Sequence, residues 1–149
     1  MKEQTAQHNQ VKLPYEVFAM VNEAKNIDDR AAILQKYATF AIKTILQANY
    51  KSSVVFELPE GAPPYREQPP VAGLQYRHIE KAIYDLGYLV KGAKKQIGAV
   101  KREVLFIKLL ETCHPADAKI IIAMKDKKLV DLYPKLTEAL VKKAFPTLI

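Results

Sequence analysis

Three histidines, one cysteine and sixteen carboxylates are what this chain offers for acid–base, nucleophilic or metal chemistry. His8, His78 and His114 lie far apart, and no two stand four residues apart as paired ligands on one helix face would. A zinc site needs three or four donors. Cys113 and His114 are adjacent, which makes chelation by both awkward, and Asp117 is the nearby acid. A Cys–His nucleophile pair needs the imidazole to reach the sulfur and a third group to orient it. Consecutive residues at a helix boundary rarely allow that. The spacing therefore predicts an inert, buried Cys113 and a His114 that caps or packs at a helix start. Among the acids, Asp28 and Asp29 read as a helix start. Glu103 and Glu111 stand eight apart on one helix, with Lys101, Arg102 and Lys108 beside them. Nothing there resembles the acid pair of a hydrolase, whose two environments split the acidities. Gly92 and Gly98 bracket AKKQI, which is neither of the familiar phosphate-cradling glycine spacings. These residues predict no catalytic centre, no cofactor and no metal site, and hence a protein that is not an enzyme.

The remaining chemistry is charge. Residues 1–90 carry ten Lys/Arg and ten Asp/Glu, whereas residues 91–149 carry thirteen against six, so the whole net charge of +7 sits in the last 59 residues. Such asymmetry predicts an anionic partner for this C-terminal part, either an acidic protein surface or nucleic acid. The candidate residues are Lys94, Lys101, Arg102 and Lys108, then Lys125, Lys127 and Lys128, then Lys142 and Lys143. Lys94, Lys101 and Lys108 are spaced by seven and would share a helix face, with Gly98 making continuity doubtful at Lys94. On the nucleic-acid reading, replacing Lys125, Lys127 and Lys128 together by Glu abolishes weak, salt-sensitive binding and leaves the fold intact. Sequence-specific reading of DNA is a poor match. The link 127–136 between two C-terminal helices is too long for the usual helix-turn-helix, and the last helix offers few side chains for base edges.

The elements that must position these residues are mostly helices. Pro14 suits a first helical turn, with Val17, Phe18, Met20 and Val21 following at helical spacing. Asn26 or Asp28 can cap a second helix, and Thr39 to Ala48 continues the pattern. Ser53 to Leu58 reads as one short strand or an extended packed segment. Five prolines then fall within residues 59–70, so 59–73 is an extended strap. Tyr65 and Arg66 sit in its centre. Either Tyr65 lies on the core beneath the strap, the favoured reading, or Tyr65 and Arg66 form a docking peptide. Helical pattern resumes at Leu74 and runs to a C-terminal cap at Gly92. Residues 99–112 are apolar over more than half their circumference, which predicts the central helix, with Phe106 and Leu110 nearly fully buried. Pro115 opens a further helix and Thr137 caps the last one. The fold class is all-α, about six helices with one extended Pro-rich strap. Its organisation is a polar lead over 1–12 and a single helical domain over 13–149.

At 149 residues and 49% apolar content the chain can bury a real core. A lone cysteine forbids an internal disulfide, no apolar run is long enough to cross a bilayer, and the N-terminus lacks the apolar stretch of a signal peptide. A soluble intracellular protein with no membrane partner is the expectation.

Three stretches carry a resemblance. They are Leu58-Pro59-Glu60-Gly61-Ala62-Pro63-Pro64-Tyr65; then Lys101-Arg102-Glu103 leading through Leu105-Phe106-Ile107 to Leu109-Leu110-Glu111; and then His114-Pro115 with Asp117-Ala118, Lys125 to Leu129, and Val141 through Ala144-Phe145-Pro146. In combination the second half of the chain resembles a family of small uncharacterised proteins of T4-like tailed phages, notably those infecting cyanobacteria. The resemblance implies a phage setting, in the cytoplasm of an infected host or in the virion, and brings no known activity. On this basis the expected role is that of a non-enzymatic accessory protein that binds host or phage machinery. The alternatives are a non-specific nucleic-acid binder and a minor virion component.

Overall fold

Short amphipathic segments with good caps set the architecture. A computed structural model of the chain describes residues 12–67 and 78–149. His8 and the rest of 1–11, Pro69, Pro70, Gly73 and the helix start expected at Leu74 lie outside the described residues, as does the side chain of His78. Within them α1 spans Pro14–Glu23, α2 Ile27–Lys36 and α3 Phe40–Tyr50. After the strap come α4 (His78–Ala82) and a 3-10 helix (Ile83–Tyr88), then α5 (Ala99–Thr112), α6 (Pro115–Lys125), α7 (Leu129–Leu132) and α8 (Glu138–Ala144). The protein is mostly helical and, among the described residues, has no sheet.

The caps follow from residue chemistry. Pro14 occupies the first position of α1, where its missing N–H costs nothing, and Glu16 Oε1 accepts the Leu13 N–H at 2.8 Å. Asn26 caps α2 by accepting from Asp29 N at 2.9 Å. Thr39 and Thr137 do the same for α3 and α8, each at 3.2 Å. Asn49, itself buried, accepts from Leu129 N and so starts α7, the short helix that breaks up the link between α6 and α8.

The helix expected to be central is not. Only Phe106, Leu109 and Leu110 of α5 are buried, and Val100 and Val104 are 76% and 59% exposed. The run of apolar residues in α5 spreads over two faces, and the core needs one. The central element is α6, which packs against α1, α3, α5 and α7. It buries Ala118, Ile120, Ile121 and Met124, and with them Asp117 and Lys125. Each large apolar side chain so placed contributes about 1.5–3 kcal/mol. The remaining helices close over this core: α2 lies against α1 and α8, and the 3-10 helix lies against α5.

Two further expectations are corrected. The expected strand over 53–58 shrinks to a single antiparallel bridge, Phe56 to Val90, held by Glu57 N–Leu89 O and Lys91 N–Val55 O, both 2.7 Å. Gly92 caps no helix. It is the third residue of the turn Val90–Ala93, at φ +82, a conformation that favours glycine and reverses the chain after the bridge. The helix before it has already tightened to 3-10 geometry at Ile83.

Candidate functional site

The expected basic cluster at 125–128 is taken apart by the fold. The Lys125 ammonium is buried and donates to Pro59 O at 2.8 Å and to Asp126 Oδ1 at 2.6 Å, over the Phe106 ring. Lys127 sits at φ +59 and donates to Ala48 O and Lys51 O at 2.7 and 3.2 Å. It thereby supplies a cation to the carbonyl end of α3, and partial burial lowers its pKa. Lys128 pairs with Glu60 at 3.3 Å. Lys142 pairs with Glu138, and Lys143 with Asp28. Replacing Lys125, Lys127 and Lys128 by Glu would therefore disturb the fold, contrary to the sequence reading, because two of the three ammoniums serve buried or capping carbonyls.

Those bonds fasten the strap. Gly61 N donates to Asp126 Oδ2 at 2.9 Å, and Arg66 N donates to Glu111 Oε2 at 2.8 Å. Tyr65 is half-buried and packs against the core, while Arg66 is exposed. Burial raises the Tyr65 pKa, assisted by the Glu67 charge. A mostly apolar cavity of about 170 Å³ lies between the strap and the Glu103–Phe106 turn of α5.

The Cys113–His114–Asp117 constellation is structural in its geometry. Cys113 is buried, and desolvation with the Asp117 charge pushes its thiol up to about 12, far from a nucleophilic thiolate. His114 Nδ1 accepts from Ala116 N at 3.0 Å and caps α6, and the ring stacks on Tyr15 with centroids 4.3 Å apart. Desolvation lowers its pKa. Asp117 reaches the N-terminus of α1, where Oδ1 accepts Tyr15 N at 2.8 Å. Its Oδ2 finds no hydrogen-bond partner among the described residues. Burial pushes its carboxyl up to about 7, with the charges of Glu16 and Glu80 acting in the same sense and the Tyr15 N–H opposing. No three described His, Cys, Asp or Glu side chains converge as metal ligands would.

Of the candidate basic residues, those that remain exposed and unpaired among the described residues all fall in one stretch. Arg102 is anchored, donating to Glu57 O and Ile97 O at 3.0 and 2.7 Å, and so fixes the 91–98 turn to the start of α5. In the same segment Lys91, Lys94, Lys95, Lys101 and Lys108 are exposed and make no ion pair with a described residue. Lys101 and Lys108, two turns apart, flank exposed Val104 on the outward stripe of α5. Lys94 leaves that stripe, because Gly98 is the N-cap and α5 begins at Ala99. With Lys95 it lines an open hollow of about 520 Å³ whose other walls are Tyr84, Asp85, Gly87 and Tyr88. The sequence reading missed these tyrosines. Tyr84 stands one step from Ile83, Tyr88 two from Leu86, off the helix face that Ile79, Ile83 and Leu86 define, and that offset was the signal.

Fold and surface together define an all-α protein with a hollow edged by two tyrosines and two lysines, Tyr84, Tyr88, Lys94 and Lys95. A family model described as "Family of unknown function (DUF6433)" matches residues 17–131, from within α1 to within α7. The chain belongs to that family. The matched span holds the strap, the Asp117 site and the basic face, and stops short of α8. No curated protein and no solved structure matches the chain.

Proposed function

We propose that this protein is a non-enzymatic binding protein whose working surface is the 84–108 face and whose partner presents negative charge. The observation that carries this is the contrast between two basic stretches. The fold spends the cations of 125–128 on carbonyls and carboxylates, yet leaves five lysines of 91–108 unengaged beside exposed valines and tyrosines. The resemblance of its sequence to small proteins of tailed phages supports a phage-infected cell as the setting of this binding, with host or phage machinery as the partner. The buried Cys113 thiol and the capping role of His114 support a role without catalysis. Among the described residues no helix is long and apolar enough to cross a membrane, which is in keeping with a partner outside the bilayer.

The test is retention on a heparin matrix at low salt. Reversal of Lys94, Lys95, Lys101 and Lys108 to Glu should abolish retention, while reversal of Lys142 and Lys143, which already face Glu138 and Asp28, should only weaken it. Equal loss from both sets would mean that bulk charge, not this face, does the binding, and would sink the proposal.

A further inference from the structure

Tyr84 is 64% exposed, yet it is not loose. Its ring lies on Phe40 with centroids 4.6 Å apart and an interplanar angle of 15°. Phe40, itself 48% exposed, is the first residue of α3, and the capping bond of Thr39 to Ile42 N fixes where that helix starts. One face of the Tyr84 ring is thus held against protein, and an aromatic ring held this way presents its other face at little entropic cost. Tyr88, four residues on along the 3-10 helix and also exposed, and Lys94 and Lys95, from the loop between the Gly92 turn and α5, share the hollow beside it. Asp85 is the carboxylate in the same wall.

Building on the proposed anionic partner, we infer that this hollow binds single-stranded nucleic acid, with a base stacked on Tyr84 and the adjoining phosphates on Lys94 and Lys95. The side-chain types point to a single strand over a duplex. Stacking on a protein ring needs an unpaired base, and every base has a face for it, whereas a duplex keeps those faces covered. They also point to a strand over an acidic protein: carboxylates would satisfy the lysines but leave the aromatic ledge unused. Asp85 fits a base better than a phosphate. It repels phosphate from its side of the hollow and accepts a hydrogen bond from the amino or imino N–H of a base, so it sets which side of the strand faces which wall.

The experiment is fluorescence anisotropy with a labelled mixed-sequence DNA strand of about 15 nucleotides, the same sequence as RNA, and its duplex, at low and near-physiological salt. The single strands should bind more tightly than the duplex. Tyr84→Ala should weaken strand binding roughly tenfold or more, Tyr84→Phe should retain it, and both variants should still melt cooperatively, Tyr84→Ala a few degrees lower for loss of the Phe40 stack. Lys94→Glu with Lys95→Glu should weaken binding and flatten its salt dependence. Strand binding that is indifferent to Tyr84→Ala, or equal for duplex and strand, overturns the stacking site and leaves the anionic-partner reading standing. Absence of strand binding at low salt, with heparin retention still lost on reversal of the 94–108 lysines, overturns the nucleic-acid inference alone and assigns the face to an acidic protein. Absence of both overturns both.

Discussion

At the scale of single residues, Asp117 is a carboxylate buried in the core beside the start of α1. It accepts one backbone N–H from the end of α1, and nothing among the described residues meets its second oxygen. A carboxyl in that position is easier to keep protonated. Its value rises from the ordinary 3.8 to about 7. The folded state then binds more protons than the unfolded state between those limits, so stability falls as pH climbs through that window and levels off above it. Asp117→Asn keeps an oxygen for Tyr15 N and cannot ionise. The variant should lose the part of the pH dependence that lies between about pH 4 and pH 7. At pH 8 it should be more stable than the parent, by up to a few kcal/mol on the scale of 1.36 kcal/mol per unit. Urea midpoints of the two proteins across that range decide it, and parallel pH profiles would mean that Asp117 is ionised in the fold throughout.

At the scale of elements, lysine ammoniums work as clips between segments distant in sequence. Lys127 holds the carbonyl end of α3 from a left-handed backbone position that disfavours a β-carbon. Two substitutions separate these effects. Lys127→Met removes the bonds and keeps the backbone strain, and should cost about 1–2 kcal/mol. Lys127→Gly removes both and should cost less than Lys127→Met in thermal melts, even though glycine is usually the more harmful residue. If glycine proves the worse of the two, the strain is not real. Lys125 makes the same kind of clip on the strap, together with Asp126 and Glu111. Lys125→Met should free residues 58–66 and raise the rate of cleavage there by a protease of broad specificity, while the parent resists. Equal cleavage of both would show that the strap is held by Tyr65 and its packing instead.

At the scale of the whole molecule, +7 divides into charges that fold the protein and charges that face outward. A net charge alone speaks to partners and association, not to fold, but its placement speaks to both. Reversing Lys101 and Lys108 to Glu should leave the melting temperature within about a degree or two, as exposed substitutions usually do. Reversing Lys125 and Lys127 puts carboxylates against Pro59 O, Ala48 O and Lys51 O, and should cost roughly 3–5 kcal/mol, enough to leave the chain partly unfolded. Calorimetry on the two double variants checks this, and similar melts for the pair would remove the division between inner and outer cations.

The sequence by itself determined what depends on neighbours along the chain. Pro14 and Pro115 opened helices, Asn26 and Thr137 capped them, the prolines of 59–64 kept that segment out of helix, and Phe106 and Leu110 went to the core. Local bonds and side-chain spacing suffice for each of these. Tertiary structure alone decided which apolar helix would be central, because α5 and α6 are both rich in large aliphatics and only packing chooses between their faces. It also decided the fate of the cations. Lys125, Lys127 and Lys128 look like one solvated cluster along the chain, but their partners Pro59, Ala48 and Glu60 lie more than sixty residues away in sequence. The candidate site emerged in the same manner. Tyr84, Phe40 and Lys94 come from three separate segments, and no spacing within one sequence reports that a helix start backs the ring of a 3-10 turn whose hollow a glycine-bent loop completes.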